Sequence, residues 1–411
     1  MKKYFLLAII VCSCAILFAQ TNNQVVIGTI DSVQSKILNE KRKVWVYVPN
    51  SGQEGLFAPV HYPVVYLLDG DAHFYSVVGM IRQLSQVNGN TICPEMIVVG
   101  IPNTNRTRDL TPTKSAIDPP YIGDNMASIS GGGEQFMSFI EKELIPHIDS
   151  TYSTSPFRLL IGHSFGGLTV MNTVINHSKL FNAYISIDPS MWWNKNNFLK
   201  TVETSLSNKD FSGKALYLGI ANTMEEGMDI NKVKSDTSID TRHIRSILEM
   251  DDFIKSNQPK GLRYASKYYG NDDHGSVPLI AEYDALRFIF EKYKFNLSPQ
   301  YIFDTTINIA AIIKKHYDEE VSTIFGYKVK PPESFINSFG YQLLQMKQFT
   351  KAGGFFKMNV DNYPSSSNVF DSYGDYFMAI GNKEQAIENF KKSLSIKETP
   401  ETKRKLEGLM K

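Results

Sequence analysis

The stretch that most constrains this chain runs from Arg158 to Leu168 and reads RLLIGHSFGGL. Strand-like apolar residues up to Ile161 enter Gly162-His163-Ser164-Phe165-Gly166, and an apolar helical run follows from Leu168 to about Ile175. A serine at the apex of a strand, sharp turn and helix is forced into a strained backbone geometry that lifts its hydroxyl above the end of a sheet. A Cβ at Gly162 or Gly166 would clash across so tight a turn, and a small residue at Gly167 suits close helix packing. The helix that starts after the serine aims its first N–H groups at the reacting atom, which favours developing negative charge. A bare G-x-S-x-G is a weak signal; the strand before it and the helix after it favour Ser164 as a nucleophile over a structural glycine turn.

The rest of the chain supplies a sheet for this turn. Gln24–Asp31 and Lys43–Val48 read as opening strands. Tyr62–Leu68, Met96–Gly100, Phe181–Ile187, Ala215–Ala221 and Leu262–Tyr269 are apolar runs of the kind buried on both faces. Polar loops follow them, after Leu68, Gly100, Ile187, Ala221 and Tyr269. Residues 131–152, 241–257 and 277–294 read as amphipathic or closing helices. The expected fold is α/β, a mostly parallel sheet with helices on both faces, whose ligands bind at the carboxyl ends of the strands. After about Asn296 the strand signals stop. Gly340 and Gly374, Ala352 and Ala386, Phe356 and Phe390 lie 34 positions apart. That is the spacing of tetratricopeptide-like helix pairs, and it adds a small all-α helical-repeat region. Two such repeats are few for a free-standing array, so they are expected to lean on the catalytic domain. The divisions are residues 1–20 as leader, 21–296 as the α/β domain, 297–332 as a helical linker and 333–411 as repeats.

Serine needs a base, and a histidine held by an acid is the usual one. Of the 8 histidines, His274 lies after the last strand in an Asp/Gly loop, where the chain order serine, acid, histidine requires it. The plain alternative is a cap for the helix beginning near Ser276. His163 is expected to face the sheet, and His73, His147, His177, His243 and His316 show no partner pattern. The acid is expected after Ala221. Glu225 is nearest the strand end, Glu226 and Asp229 are alternatives, and Asp188 after the preceding strand is an outside choice. The oxyanion donors are the N–H of Phe165 and that of Gly70 or Asp71. Arg106 and Arg108 could meet a substrate anion or pair with Asp109. Trp192 and Trp193 could be stacking walls or buried lid contacts. No spacing of His, Asp, Glu or Cys suggests a metal, and no cofactor is expected.

Net charge is +1, which gives no electrostatic case for nucleic acid or an acidic membrane. Lys2, Lys3 and the apolar Tyr4–Phe18 ahead of Ala19 read as an export signal too short to span a membrane, giving a periplasmic or extracellular protein. A lipoprotein anchor through Cys12 or Cys14 is the minority reading. Cleavage after Ala19 leaves Cys93 alone and unable to form an intramolecular disulfide.

Residues from about 25 to 295 resemble the putative esterase family of α/β-hydrolases, which includes esterase D, enterochelin-type siderophore esterases and feruloyl esterases. The resemblance rests on Tyr62–Gly70, Gly100–Arg106 with Asp109–Pro112, Glu141–Pro146, Gly162–Gly167, Pro189–Trp193 and Asp273–Pro278. It implies a serine carboxylesterase with Ser164 as nucleophile and His274 as base. The chain departs from the family after Ala221, where an acid in a Gly-x-x-Glu or Asp setting is usual, and the acid stays open. The substrate implied is a siderophore, an acylated glycan or a small acyl ester. The alternative is a binding protein on a hydrolase scaffold, with the helical tail recruiting a partner or a second copy.

Overall fold

The computed structural model describes residues 24–49, 55–304 and 306–411, so the leader read over residues 1–20 lies outside the described residues. The strands are β1 (Thr29–Ser35), β2 (Glu40–Tyr47), β3 (Tyr62–Leu68), β4 (Ile97–Ile101), β5 (Thr154–His163), β6 (Ala183–Ile187), β7 (Lys214–Ala221) and β8 (Leu262–Tyr269). They form one sheet in the order β1-β2-β4-β3-β5-β6-β7-β8. β1 pairs antiparallel with β2, and β2 with β4; every neighbour from β4 to β8 is parallel. The first strand starts later than its apolar pattern suggests. Its register, Thr29 opposite Val46 to Ser35 opposite Glu40, is set by the turn at residues 36–39.

The run Tyr62–Leu68 is apolar throughout because both of its faces are covered. Val64, Tyr66 and Leu68 enter one core, and Val65 and Leu67 enter the other. The first core lies under residues 133–151 and the helices Phe165–Asn176, Asn197–Asn208 and Arg242–Asn257. The second lies under Gly70–Ser85 and Val277–Ile289. The stretch after Asp69, which reads as a loop, is helix from Gly70 to Ser85. Phe74, Val77, Val78, Ile81 and Leu84 recur on its buried face.

The second core continues without a break into the tail through Ile309, Ile313, Tyr317, Phe325, Ile336 and Phe339. The Phe325 ring packs against that of Phe157, 5.0 Å between centroids. The buried Glu333 accepts from the Ala58 N–H at 2.8 Å, from Ser366 Oγ at 2.8 Å and from Asn368 at 3.1 Å. Ala58 precedes β3 and Phe157 lies early in β5. The tail therefore meets the sheet at the amino ends of its parallel strands, away from Ser164 at the carboxyl end of β5. Beyond residue 332 it consists of two helical hairpins, Glu333–Gln345 with Phe349–Asn362 and Ser367–Ala379 with Lys383–Ile396, followed by Pro400–Met410.

The 34-residue spacing has a packing cause. A Cβ on Gly340 would lie 3.1 Å from the Phe356 ring, and one on Gly374 would lie 2.5 Å from the Phe390 ring. Both rings are fully buried and cannot retreat. Gly374→Ala is therefore expected to lose roughly 1–3 kcal/mol of tail stability by overpacking. Gly408→Ala, in a helix where nothing lies within 4 Å of the new methyl, should gain up to about 1 kcal/mol. Thermal unfolding of the two variants reads this opposite sign.

Candidate active site

Three adjacent strands end on residues with positive φ: Asp69 after β3 at 51°, Ser164 after β5 at 60° and Asp188 after β6 at 40°. Non-glycine residues seldom adopt this region, and strain of roughly 1–3 kcal/mol at each is stored where the surroundings over-determine the geometry. At Ser164 the surroundings do so. Its N–H donates to the Ile187 carbonyl at 3.0 Å, and its carbonyl accepts from the N–H groups of Leu168 and Ser190. A Cβ on Gly162 would lie 2.4 Å from the Gly166 backbone, so the turn closes only over glycine. Phe165 and Gly70 each open a helix directly behind such a residue. Their N–H groups are first-turn donors that lack an intrahelical acceptor. The two helix starts are neighbours, since a Cβ on Gly166 would come within 3.1 Å of Asp69 Oδ2.

The carboxylate beside His274 is Asp188. His274 Nδ1–H donates to Asp188 Oδ2 at 2.5 Å, and His243 Nε2–H donates to the same oxygen at 2.8 Å. The Ala221 N–H donates to Oδ1 at 3.0 Å. Asp188 is fully buried. Burial pushes its pKa up, but the hydrogen bonds from His243 and His274 outweigh this and hold the carboxyl well below its usual range. His274 sits on a rigid turn. The Asp273 carboxylate accepts from the Gly275 and Ser276 N–H groups, both at 2.9 Å. The helix Val277–Ile289 that follows carries no side-chain cap, so capping is not the role of His274. The ring of His163, next to Ser164 in the chain, lies 4.4 Å from that of His274. Burial, and secondarily the charge of His274, push the His163 pKa down to about 3, so this neighbour is neutral.

The other expected site residues distribute differently. Glu225 and Glu226 are exposed, and Asp229 caps a short helix by accepting from Asn231 and Lys232. The end of β7 is instead engaged with the carboxylate that follows β6. The Ala221 N–H binds Asp188, and Asn222 is tied to the Asp272 and Gly270 carbonyls. Arg106 grips Asp69 with two bonds, Nε to Oδ1 at 2.7 Å and Nη2 to Oδ2 at 3.0 Å, and also donates to the His163 carbonyl. It braces the turn. Arg108 pairs with Asp109 at 2.6 Å. Trp193 is fully buried and donates to Thr113, which removes it as a stacking wall. Trp192 is nearly buried, with Tyr121 stacked on it at 4.5 Å and Arg242 over Tyr121 at 4.4 Å. His163 does not face the sheet core but lies between His73 and His274.

His243, Tyr121 and Arg242 carry no sequence signal, because their elements are distant in the chain from Ser164. Asp188 does carry one: it directly follows the last apolar residue of a buried strand, as Asp69 does, whereas Glu225 is separated from β7 by a loop. Among the described residues, Asp188, His243 and His274 are the one group of metal-ligand type whose donor atoms lie within 4.8 Å of one another. Those atoms are engaged with each other as N–H···O bonds.

Sheet order and elbow together define an α/β-hydrolase. The chain belongs to the family described as "Putative esterase", whose model matches residues 35–240. It is 31% identical over 178 residues to a ferri-bacillibactin esterase, BesA, of Bacillus subtilis, covering 41% of this chain and 61% of that protein. It is 28% identical over 154 residues to a siderophore enterobactin esterase of Emericella nidulans, covering 35% of this chain and 51% of that protein. The matches thus span between half and about three-fifths of these relatives' lengths. An IroE-like serine hydrolase from Shewanella oneidensis superposes with a TM-score of 0.68 at 29% identity, over 81% of this chain and 98% of that one.

Because Asp69 is buried and Arg106 about a third exposed, Arg106→Gln is expected to lower stability by roughly 1–3 kcal/mol, less than for a fully buried pair. Urea unfolding measures it, and an unchanged midpoint would show that Asp69 is held without this brace.

Proposed function

We propose that the protein is a serine carboxylic-ester hydrolase in which Ser164 is the nucleophile, His274 the base and Asp188 the acid. The observation that carries this is the His274 ring, fixed by Asp188 on one nitrogen and lying against His163 beside the strained serine. With the Nδ1 proton committed to Asp188, Nε2 carries the lone pair. Ser164 Oγ adds to the ester carbonyl carbon as His274 Nε2 takes its proton. The same proton passes to the leaving alkoxide, and water repeats the sequence on the acyl-enzyme. The Phe165 and Gly70 N–H groups stabilise the tetrahedral oxyanion. A neutral His163 adds no repulsion when His274 becomes cationic.

The names of the two relatives favour a siderophore ester as substrate, and the Tyr121–Trp192 stack with Arg242 supplies aromatic and cationic side chains beside the site. The basic, apolar leader of the sequence favours export, where such a ligand would be met. The 34-residue helical hairpins are read as tetratricopeptide-like and as structural support for the catalytic domain.

Ser164→Ala should lose on the order of 10⁴-fold or more in kcat on p-nitrophenyl butyrate and on a ferric siderophore ester. Asp188→Asn should lose on the order of 10⁴-fold through the wrong histidine tautomer. Glu225→Gln should behave as wild type. Steady-state rates and product masses check all three. Normal turnover by Ser164→Ala, or loss in Glu225→Gln with Asp188→Asn active, would overturn the assignment.

A further inference from the structure

A serine hydrolase needs one imidazole on its acid, and Asp188 Oδ2 holds two. We propose that His243 is a positioning residue that fixes Asp188 and limits how strongly this carboxylate favours the imidazolium form of His274. The proposal rests on the triad reading above.

The hydrogen bonds determine which nitrogen of His243 carries the proton. Trp192 Nε1–H donates to His243 Nδ1 at 3.0 Å. An indole N–H can only donate, so His243 Nδ1 is the acceptor and its proton resides on Nε2, aimed at Asp188 at 2.8 Å. His243 is thereby a neutral donor to an anion. Its ring has little freedom to turn away: its side chain is 13% exposed, and Tyr121 stacks on Trp192. The Tyr121 hydroxyl in turn donates to the Ile239 carbonyl at 3.0 Å. A donor to a carboxylate stabilises its charge and makes it a weaker partner for a neighbouring cation. Other charged or titratable groups face this network from each side. Asp273 and His163 adjoin His274, with His73, Asp69 and Arg106 beyond His163. Arg242 adjoins His243 in the chain and pairs with Asp118, and Arg245 and Asp240 act on Tyr121. The groups bonded to the Asp188 carboxylate are His243, His274 and the Ala221 N–H.

The test is the pH profile of kcat/KM on p-nitrophenyl butyrate, paired with the pH dependence of fluorophosphonate labelling. His243→Phe removes the donor. It should lower kcat/KM roughly 10- to 100-fold, the worth of one hydrogen bond to a charged group. It should also move the acid limb upward by about half a unit to one unit, because the unshared carboxylate holds the His274 proton more tightly. His243→Gln offers a donor for Asp188 and an acceptor for Trp192 but does not titrate, and should return the limb to its wild-type position. A purely structural role would lower rates in His243→Phe without moving the limb, and that result would overturn the proposal. Independently of any variant's folding, long-range ¹H–¹⁵N spectra of histidine-labelled wild type at pH 8 should show two histidines in which one nitrogen is fixed as donor to the acid, one through Nε2 and one through Nδ1. Finding no Nε2–H tautomer held in this way would equally overturn it. A wild type that neither turns over ester nor labels at Ser164 would sink the triad reading instead. An active wild type with an inert Ser164→Ala and an unshifted His243→Phe would sink only this inference.

Discussion

Asp188 has no solvent contact, yet its carboxyl is held ionised at the end of a buried strand. An isolated charge there would cost several kcal/mol in desolvation. It persists because donors from three other elements converge on it: the Ala221 N–H at the end of β7, the imidazole on the turn after β8 and the imidazole at the start of the helix Arg242–Asn257. One carboxylate thus ties the later half of the sheet into a single rigid site. The orientations of the His274 and His243 rings both answer to that charge.

The earlier half of the sheet solves a similar problem with a second acid. Asp69, after β3, is clasped by Arg106 and Asn103 and lies against Gly166 of the serine turn. Behind this loop the fully buried Arg42 donates to Asp109, Glu40 and Thr104 and lies over the rings of Phe136 and Phe139. Burial pushes the Glu40 pKa up, but its bonds to Arg108, Arg42 and Thr104 bring it down to about 2. The loop that could have offered free arginines to a substrate is therefore a braced wall. Polar groups tied by this many bonds contribute rigidity, which is what a strained serine needs to hold its geometry.

The tail occupies the opposite pole. Its aromatic faces complete the second core, and Glu333 joins it to the segment ahead of β3. The amino ends of the strands are thus covered by helices whose own cores would be small alone.

How much of this was legible follows from the range of each interaction. The sheet strands, the glycine-lined serine turn and the 34-residue packing of glycine against phenylalanine are short-range or periodic, so the residue pattern by itself determined them. His274 was legible because it occupies the loop behind a recognisable last strand. The sequence pattern ranks carboxylates by chain position and so points to Glu225, whereas a histidine selects by direction and distance, and the carboxylate bonded to His274 is Asp188. Only the folded sheet brings the end of β6 against the turn after β8 and assigns the β7 end to support Asp188. His243 was invisible for the same reason: its partners Asp188 and Trp192 lie some fifty residues away in the chain. Local sterics and periodicity wrote the scaffold into the sequence; the choice of which charges meet belonged to tertiary packing, since burying an ion is tolerable only where distant donors converge.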